Sequence, residues 1–428
     1  MSNDKDSIPS PSTMDTIPLS VHRWNYWISS FECALYIMAT NMIGPMTLIP
    51  FLFKQTGIDS SYLGLFTIST LIVALSGPIG ATLMSGQRRM LPFCVTVGIF
   101  QRLVFLMVPL GVMFFHGKPA PLLWILATVW LASNFIGGIA TPTFMVMITN
   151  GTRERWWGRL MGMRSLLGAA SGLVATILVW GVNRISSYPN NYTILGWIGV
   201  LLLFGSLYGV SRFREVMTPT TREAPNTGFA KEWVRTLQIW REDTRVRWIV
   251  LGRTFRSFGF FTGTYITAMF IARCDLTDSL MWLPVILFSV SDMVTNYVSG
   301  RIIDHFGSKP ALVLSSLLVA FSAAFLTQCY SVPFFVICIP ILSLGGSLIN
   351  NGWPTFLLKM SPPGDRTAYF STVSLLSAPP SIFISVAGVF LVQWLDYNPT
   401  MWISAVGGLI GALVFQFKLP NIRQAPSR

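Results

Sequence analysis

Apolar residues along this chain gather into stretches near 25–52, 60–84, 90–115, 121–149, 160–184, 192–211, 248–272, 279–303, 309–329, 333–358, 368–394 and 399–417. Each is at least about as long as the roughly twenty residues a helix needs to cross the hydrocarbon core of a bilayer. Inside that core the segment must satisfy its own backbone, so runs of this length predict helices. One long polar interruption, at about 212–247, divides six spans from six. The pattern therefore predicts an all-α, polytopic membrane protein of twelve transmembrane helices arranged as two six-helix bundles. Its divisions are a disordered N-terminal tail (1–24), a first bundle (25–211), a central loop (212–247), a second bundle (248–417) and a short tail (418–428). The tail has no basic stretch leading into an apolar core, so no signal peptide is expected. Within the central loop, Trp233, Leu237 and Trp240 fall at helical spacing among Arg and Lys, which predicts an amphipathic helix at the membrane surface.

The two halves repeat each other. Phe51, Lys54, Asp59 and Ser60 correspond to Phe270, Arg273, Asp278 and Ser279, and Pro142-Thr143-Phe144 corresponds to Pro354-Thr355-Phe356. Downstream, Glu154-Arg155 corresponds to Asp365-Arg366. Three matches in order, at a nearly constant separation, indicate a duplicated six-helix unit. Between the eighth and ninth spans the sequence reads Gly300-Arg301-Ile302-Ile303-Asp304-His305-Phe306-Gly307-Ser308-Lys309. This run resembles the loop motif of the major facilitator superfamily, and with the repeat it extends the resemblance over the chain after residue 24. The equivalent first-half loop, Gly80 to Arg89, keeps glycines and the basic pair Arg88 and Arg89 but lacks the carboxylate. The resemblance implies parallel repeats about an axis normal to the membrane. It also implies a gate at the cytoplasmic end, built from Gly300, Asp304, Gly307 and Lys309 with Arg88, Arg89, Arg155 and Arg366. Asp304 is expected to meet a neighbouring helix N-terminus or a basic side chain. Glu154 with Arg155, and Asp365 with Arg366, are expected pairs.

Composition agrees with the spans. The chain is 52% hydrophobic and 11% charged, against roughly a quarter charged in soluble domains. Its net charge of +13 would suit nucleic acid if the basic residues formed a patch, but they follow the topology. Most of the 30 Lys and Arg lie in one alternate set of loops, while Lys54, Lys118, Arg184 and Arg273 fall on the other side. This asymmetry predicts that both termini are cytoplasmic and disfavours nucleic acid as a partner. Five cysteines without a pairing pattern and three scattered histidines suggest neither a disulfide framework nor a metal centre. No phosphate-cradling GxxxxGK[ST] run is present, which argues against ATP-driven transport. No cofactor and no enzymatic activity are expected.

Ionisable residues inside spans are costly and mark candidate functional positions. Glu32 lies in the first span, Arg102 in the third, Arg253 and Arg256 in the seventh and Asp292 in the eighth, with Asn296 one turn on. Arg164, near a helix start, is expected to snorkel to the interface. A carboxyl within a membrane can take up a proton from one side and release it to the other, so Glu32 and Asp292 are candidates for proton coupling. The bland alternative is an ion pair of either with Arg102 or Arg253. Asn350-Asn351-Gly352, just before Pro354, suggests an unwound segment facing a cavity, or else interhelical hydrogen bonding.

The resemblance implies a secondary transporter working by alternating access. Length and the N-terminal run further resemble the magnetosome-associated facilitators, which implies iron movement into a magnetosome lumen for magnetite biomineralisation. The location so implied is a bacterial cytoplasmic or magnetosome membrane. The implied partners are the lipid bilayer, a small solute or iron species, and other magnetosome membrane proteins. The intramembrane arginines sit more easily with an anionic or chelated iron species than with a bare cation. Alternatives are a small organic solute or drug transporter of the same fold, and a non-transporting membrane scaffold.

Overall fold

The structure is a computed structural model of the chain, and it describes residues 17–44, 49, 52–53, 56–57, 69–84, 89–216, 229–274, 283–362 and 366–420. Every regular element among these residues is helical. The first half contributes α1 (Leu19–Ile43), α2 (Ser69–Met84), α3 (Leu91–Phe105), α4 (Met107–Phe115), α5 (Pro119–Asn150), α6 (Trp157–Ile185) and α7 (Asn190–Ser211). A further helix, α8 (Phe229–Glu242), occupies the central loop. The second half contributes α9 (Thr244–Ser257), α10 (Gly259–Arg273), α11 (Leu283–Phe306), α12 (Ser308–Leu326), α13 (Val332–Met360), α14 (Arg366–Leu395) and α15 (Tyr397–Lys418). With α3 and α4 forming one span and α9 and α10 another, the helices account for twelve crossings. Lys54, Asp59, Arg88, Asp278 and Asp365 lie outside the described residues.

The duplication read in the sequence reappears as packing. In the first half, α1 packs on α6 and α7, α2 on α5, and α3 on α5 and α7. In the second half, α9 packs on α14 and α15, α11 on α13, and α12 on α13 and α15. Each contact has its counterpart six spans later. The halves meet through two equivalent crossings, α6 on α11 and α2 on α14. The bundles are therefore related by an approximate twofold axis running between these pairs.

Packing inside each half is apolar. Phe105, Val112, Leu126, Leu195 and Leu203 anchor the first core, and Phe261, Phe270, Phe335, Phe356 and Phe415 anchor the second. The outer surface is apolar too, with Trp124, Trp180, Leu201, Phe383 and Trp394 exposed. Contiguous apolar surface on this scale is solvated by lipid, not by water.

The expected surface helix is split in two at Asp243. The Asp243 side chain accepts a hydrogen bond from the Arg245 N–H and so caps α9. Burial opposes its charge, but hydrogen bonds from Arg245 hold its carboxyl below the ordinary carboxylate range. The preceding α8 packs on both α14 and α2, burying Ile239, so it lies across the seam between the halves. Two further expectations change. The helix α13 runs unbroken through Asn350, Asn351 and Gly352, because each keeps its place in the backbone ladder. Arg164 does not snorkel to the interface; it is buried, because a carboxylate within α1 faces it.

Candidate functional site

Between the halves lies a cavity of about 700 Å³, walled by α2 and α5 on one side and by α9, α10 and α14 on the other. Ser374, Ser377 and Ser381 recur at helical spacing on α14 and turn one polar stripe into it. Ser257 and Ser381 share a hydrogen bond of 2.7 Å across the cavity wall. Arg253 lies one helical turn before Ser257 and lines the same space. Its guanidinium rests 4.4 Å from the centroid of the Trp353 ring. Among the described residues no carboxylate forms an ion pair with it. An arginine is always charged, so this cavity holds a positive charge that no carboxylate among the described residues pairs with.

The buried charges of the first half are tied to one another. Glu32 pairs with Arg164 at 3.3 Å and accepts a hydrogen bond of 3.0 Å from the Ser206 hydroxyl. Arg102 donates to that same hydroxyl (3.3 Å) and to Gln101 Oε1 (2.6 Å). Glu32 is thus joined directly to Arg164 and only through Ser206 to Arg102, and the alternative of a direct pair with Arg102 or Arg253 is not what the structure holds. In the second half, Arg256 donates to Ser315 Oγ (3.3 Å) and the Gly345 carbonyl (3.4 Å), inside the bundle and away from the cavity lining. Asp292 accepts a hydrogen bond from Ser343, and Ser343 in turn meets Thr295. No ion pair engages Asp292 among the described residues.

At the end of the bundle that carries the basic loops, side chains join the two halves. Here α6 begins against the last turn of α11, and Asp304 accepts hydrogen bonds from the N–H groups of Gly158 (2.8 Å) and Arg159 (3.0 Å). The first N–H groups of a helix have no partner within it, and its N-terminus carries partial positive charge, so a carboxylate is favoured there. Arg159 adds an ion pair to Asp304 at 3.2 Å. The crossing depends on glycine: a Cβ on Gly300 would stand 2.7 Å from the Gly158 carbonyl oxygen, and one on Gly158 would stand 2.5 Å from Asp304 Oδ1. One turn deeper, Asn351 ties three helices together. It accepts from Ser165 on α6 (2.9 Å) and donates to Asn296 (3.1 Å) and Ser299 (2.8 Å) on α11. Asn350, its neighbour, is exposed and takes no part.

The remaining gate candidates divide. Gly307 adopts φ 95°, a region that residues with a Cβ rarely adopt, and so makes the turn from α11 to α12. Lys309 donates to the Leu419 carbonyl (2.8 Å) at the end of α15. Arg366 donates to Asn150 (3.0 Å) and lies over the buried Trp157, joining α14 to α5. Arg89 and Arg155 are exposed, and no Glu154–Arg155 ion pair forms among the described residues. The serine stripe of α14, Trp353 and Ser165 were not anticipated. Ser374, Ser377 and Ser381 at i, i+3 and i+7 were a readable signal; Trp353 and Ser165 carry none.

Comparison with known proteins agrees with this geometry. Residues 274–428 match the family described as Major Facilitator Superfamily. The multidrug resistance protein MdtH of Photorhabdus laumondii is 28% identical over 130 residues, which is 30% of this chain and 32% of that protein. The chain thus aligns with about a third of that relative's length. Among solved structures, FucP in the outward conformation superposes with a TM-score of 0.70 at 12% identity, covering 92% of this chain and 99% of FucP. The human organic anion transporter MFSD10 gives 0.68 at 13%, covering 92% and 99%. A bacterial homologue of the iron transporter ferroportin, outward-facing, gives 0.68 at 15%, covering 92% and 98%.

Proposed function

From a chain with the major facilitator fold, we propose a secondary transporter that works by alternating access and carries an anionic solute. The observation that carries the choice of cargo is Arg253, a permanent cation facing a cavity shared by both halves. A cation entering that cavity meets repulsion, whereas a carboxylate or phosphate meets a guanidinium flanked by serine hydroxyls. The contacts that join the halves at the basic end support a state in which the cavity loads or releases at the other end. Iron remains compatible with this charge as an anionic chelate, and in a magnetosome membrane such a chelate would move toward the lumen. An organic anion uses the same contacts, and the likeness to MFSD10 extends to the fold alone.

Asp292 is the stronger coupling candidate. It is held by one hydroxyl, while the charge of Glu32 is engaged by Arg164. Flux into vesicles containing the purified chain tests both assignments, with labelled organic anions, ferric citrate and Fe²⁺ offered in turn. A charge-assisted hydrogen bond contributes about 1.5–3 kcal/mol, so Arg253→Gln is expected to slow anion flux by about ten- to a hundredfold. Asp292→Asn is expected to remove the dependence of flux on a pH gradient. Transport of Fe²⁺ in preference to every anion would overturn the cargo reading, and no flux of any solute would favour a scaffold.

A further inference from the structure

A second cavity, of about 550 Å³, opens at the basic end on the outer edge of the α6–α11 crossing. Tyr26 of α1, with Trp156 and Arg159 at the start of α6, forms one wall, and Tyr297, Arg301 and His305 of α11 form the other. Arg159 lies 4.8 Å from the Trp156 ring centroid, and Arg301 lies 4.7 Å from that of Tyr297, whose hydroxyl it also meets. Both guanidiniums thus lie against aromatic rings of the cavity wall. The carboxylate of Asp304 is taken up by Arg159 and two backbone N–H groups, and no carboxylate pairs with Arg301 among the described residues. His22, edge-on to Trp156, is in turn surrounded by Arg23, Arg153 and Arg155. The cavity is therefore net positive, walled by aromatic rings, and placed where the spans end.

We infer that this cavity binds a phosphate group, supplied by the headgroup of an anionic phospholipid. Two guanidiniums facing one cavity suit phosphate oxygens. Aromatic rings and basic pockets between helix ends are the features that hold lipid headgroups at a membrane surface. One wall belongs to the first half and the other to the second, so the site is complete only while the basic end is closed. Its occupant then stabilises that state by the difference between its affinities for the closed and open forms. The inference rests on the charge and position of this cavity and not on what the central cavity carries.

The full chain, reconstituted in phosphatidylcholine vesicles with phosphatidylglycerol added, is extracted and its bound lipid counted by native mass spectrometry. Native protein is expected to retain phosphatidylglycerol over phosphatidylcholine. Arg301→Gln is expected to retain about fivefold less, the effect of about one basic residue at a membrane surface, and Arg301→Lys to recover part of the loss. Because Arg301 is exposed, the melting temperature of Arg301→Gln in phosphatidylcholine alone should match the native value, which separates lost binding from misfolding. A parallel titration compares inorganic phosphate with chloride at equal ionic strength. Thermal stabilisation by phosphate that Arg301→Gln abolishes, without selective lipid retention, would support phosphate chemistry from a soluble source. Equal phosphatidylglycerol retention by native protein and Arg301→Gln, with no phosphate response, would overturn the inference.

Discussion

Glu32 sits between Arg164 and the Ser206 hydroxyl, and removing its charge would leave Arg164 buried without a carboxylate. Breaking a buried pair in this way costs about 3–5 kcal/mol. Glu32→Gln is therefore expected to lower the melting temperature of the purified chain, a shift that a thermal unfolding series in detergent would detect. Arg253 should behave in the opposite manner: no carboxylate among the described residues loses a partner when it is neutralised, so Arg253→Gln should spare stability while it slows flux. That contrast separates a structural charge from one held ready for a ligand. Both positions were legible in the sequence, because any charge within an apolar span stands out. Their partners were not. Whether Glu32 meets Arg102, Arg164 or Arg253 depends on how each helix is rotated about its axis, which hydropathy does not encode.

Among the helices, the α6–α11 crossing is the contact on which we propose that closure of the basic end depends. Gly158 and Gly300 bring the two backbones together, and Asp304 fastens them. Overpacking of a close contact costs about 1–3 kcal/mol, so Gly300→Val is expected to shift the chain toward a state open at that end. A cysteine placed at Ser374 in the cavity should then react with a hydrophilic thiol reagent added from the basic side. No gain in its reactivity would mean that closure is held elsewhere, for instance by α8 across α2 and α14. The sequence exposed this crossing through a fixed motif, since Gly300, Asp304 and Gly307 are positions where backbone chemistry restricts the residue type. Asn350 to Gly352 read as a break for a related reason, polar amides beside a glycine. Within α13 the backbone ladder holds regardless, and Asn351 spends its amide on neighbouring helices instead.

At the scale of the whole molecule, two bundles with matching internal contacts meet along two equivalent crossings, around a cavity lined by both. The number of spans and their division into halves could be read from hydropathy because lipid imposes it on every segment. The closed basic end could not, since opening and closing use the same residues. On the proposed reading, each bundle moves as a body and the cavity exchanges one opening for the other. Spin labels at Arg155 and Phe306 report the separation of the halves at the basic end, and labels at Gly117 and Tyr330 report it at the opposite end. Distance distributions from both pairs, recorded in the same lipid with and without an anionic cargo, test the idea directly. The account predicts two populations in each pair with reciprocal weights, so that as the basic end widens the opposite end narrows. A single fixed distance at both ends, or widening at both together, would contradict it.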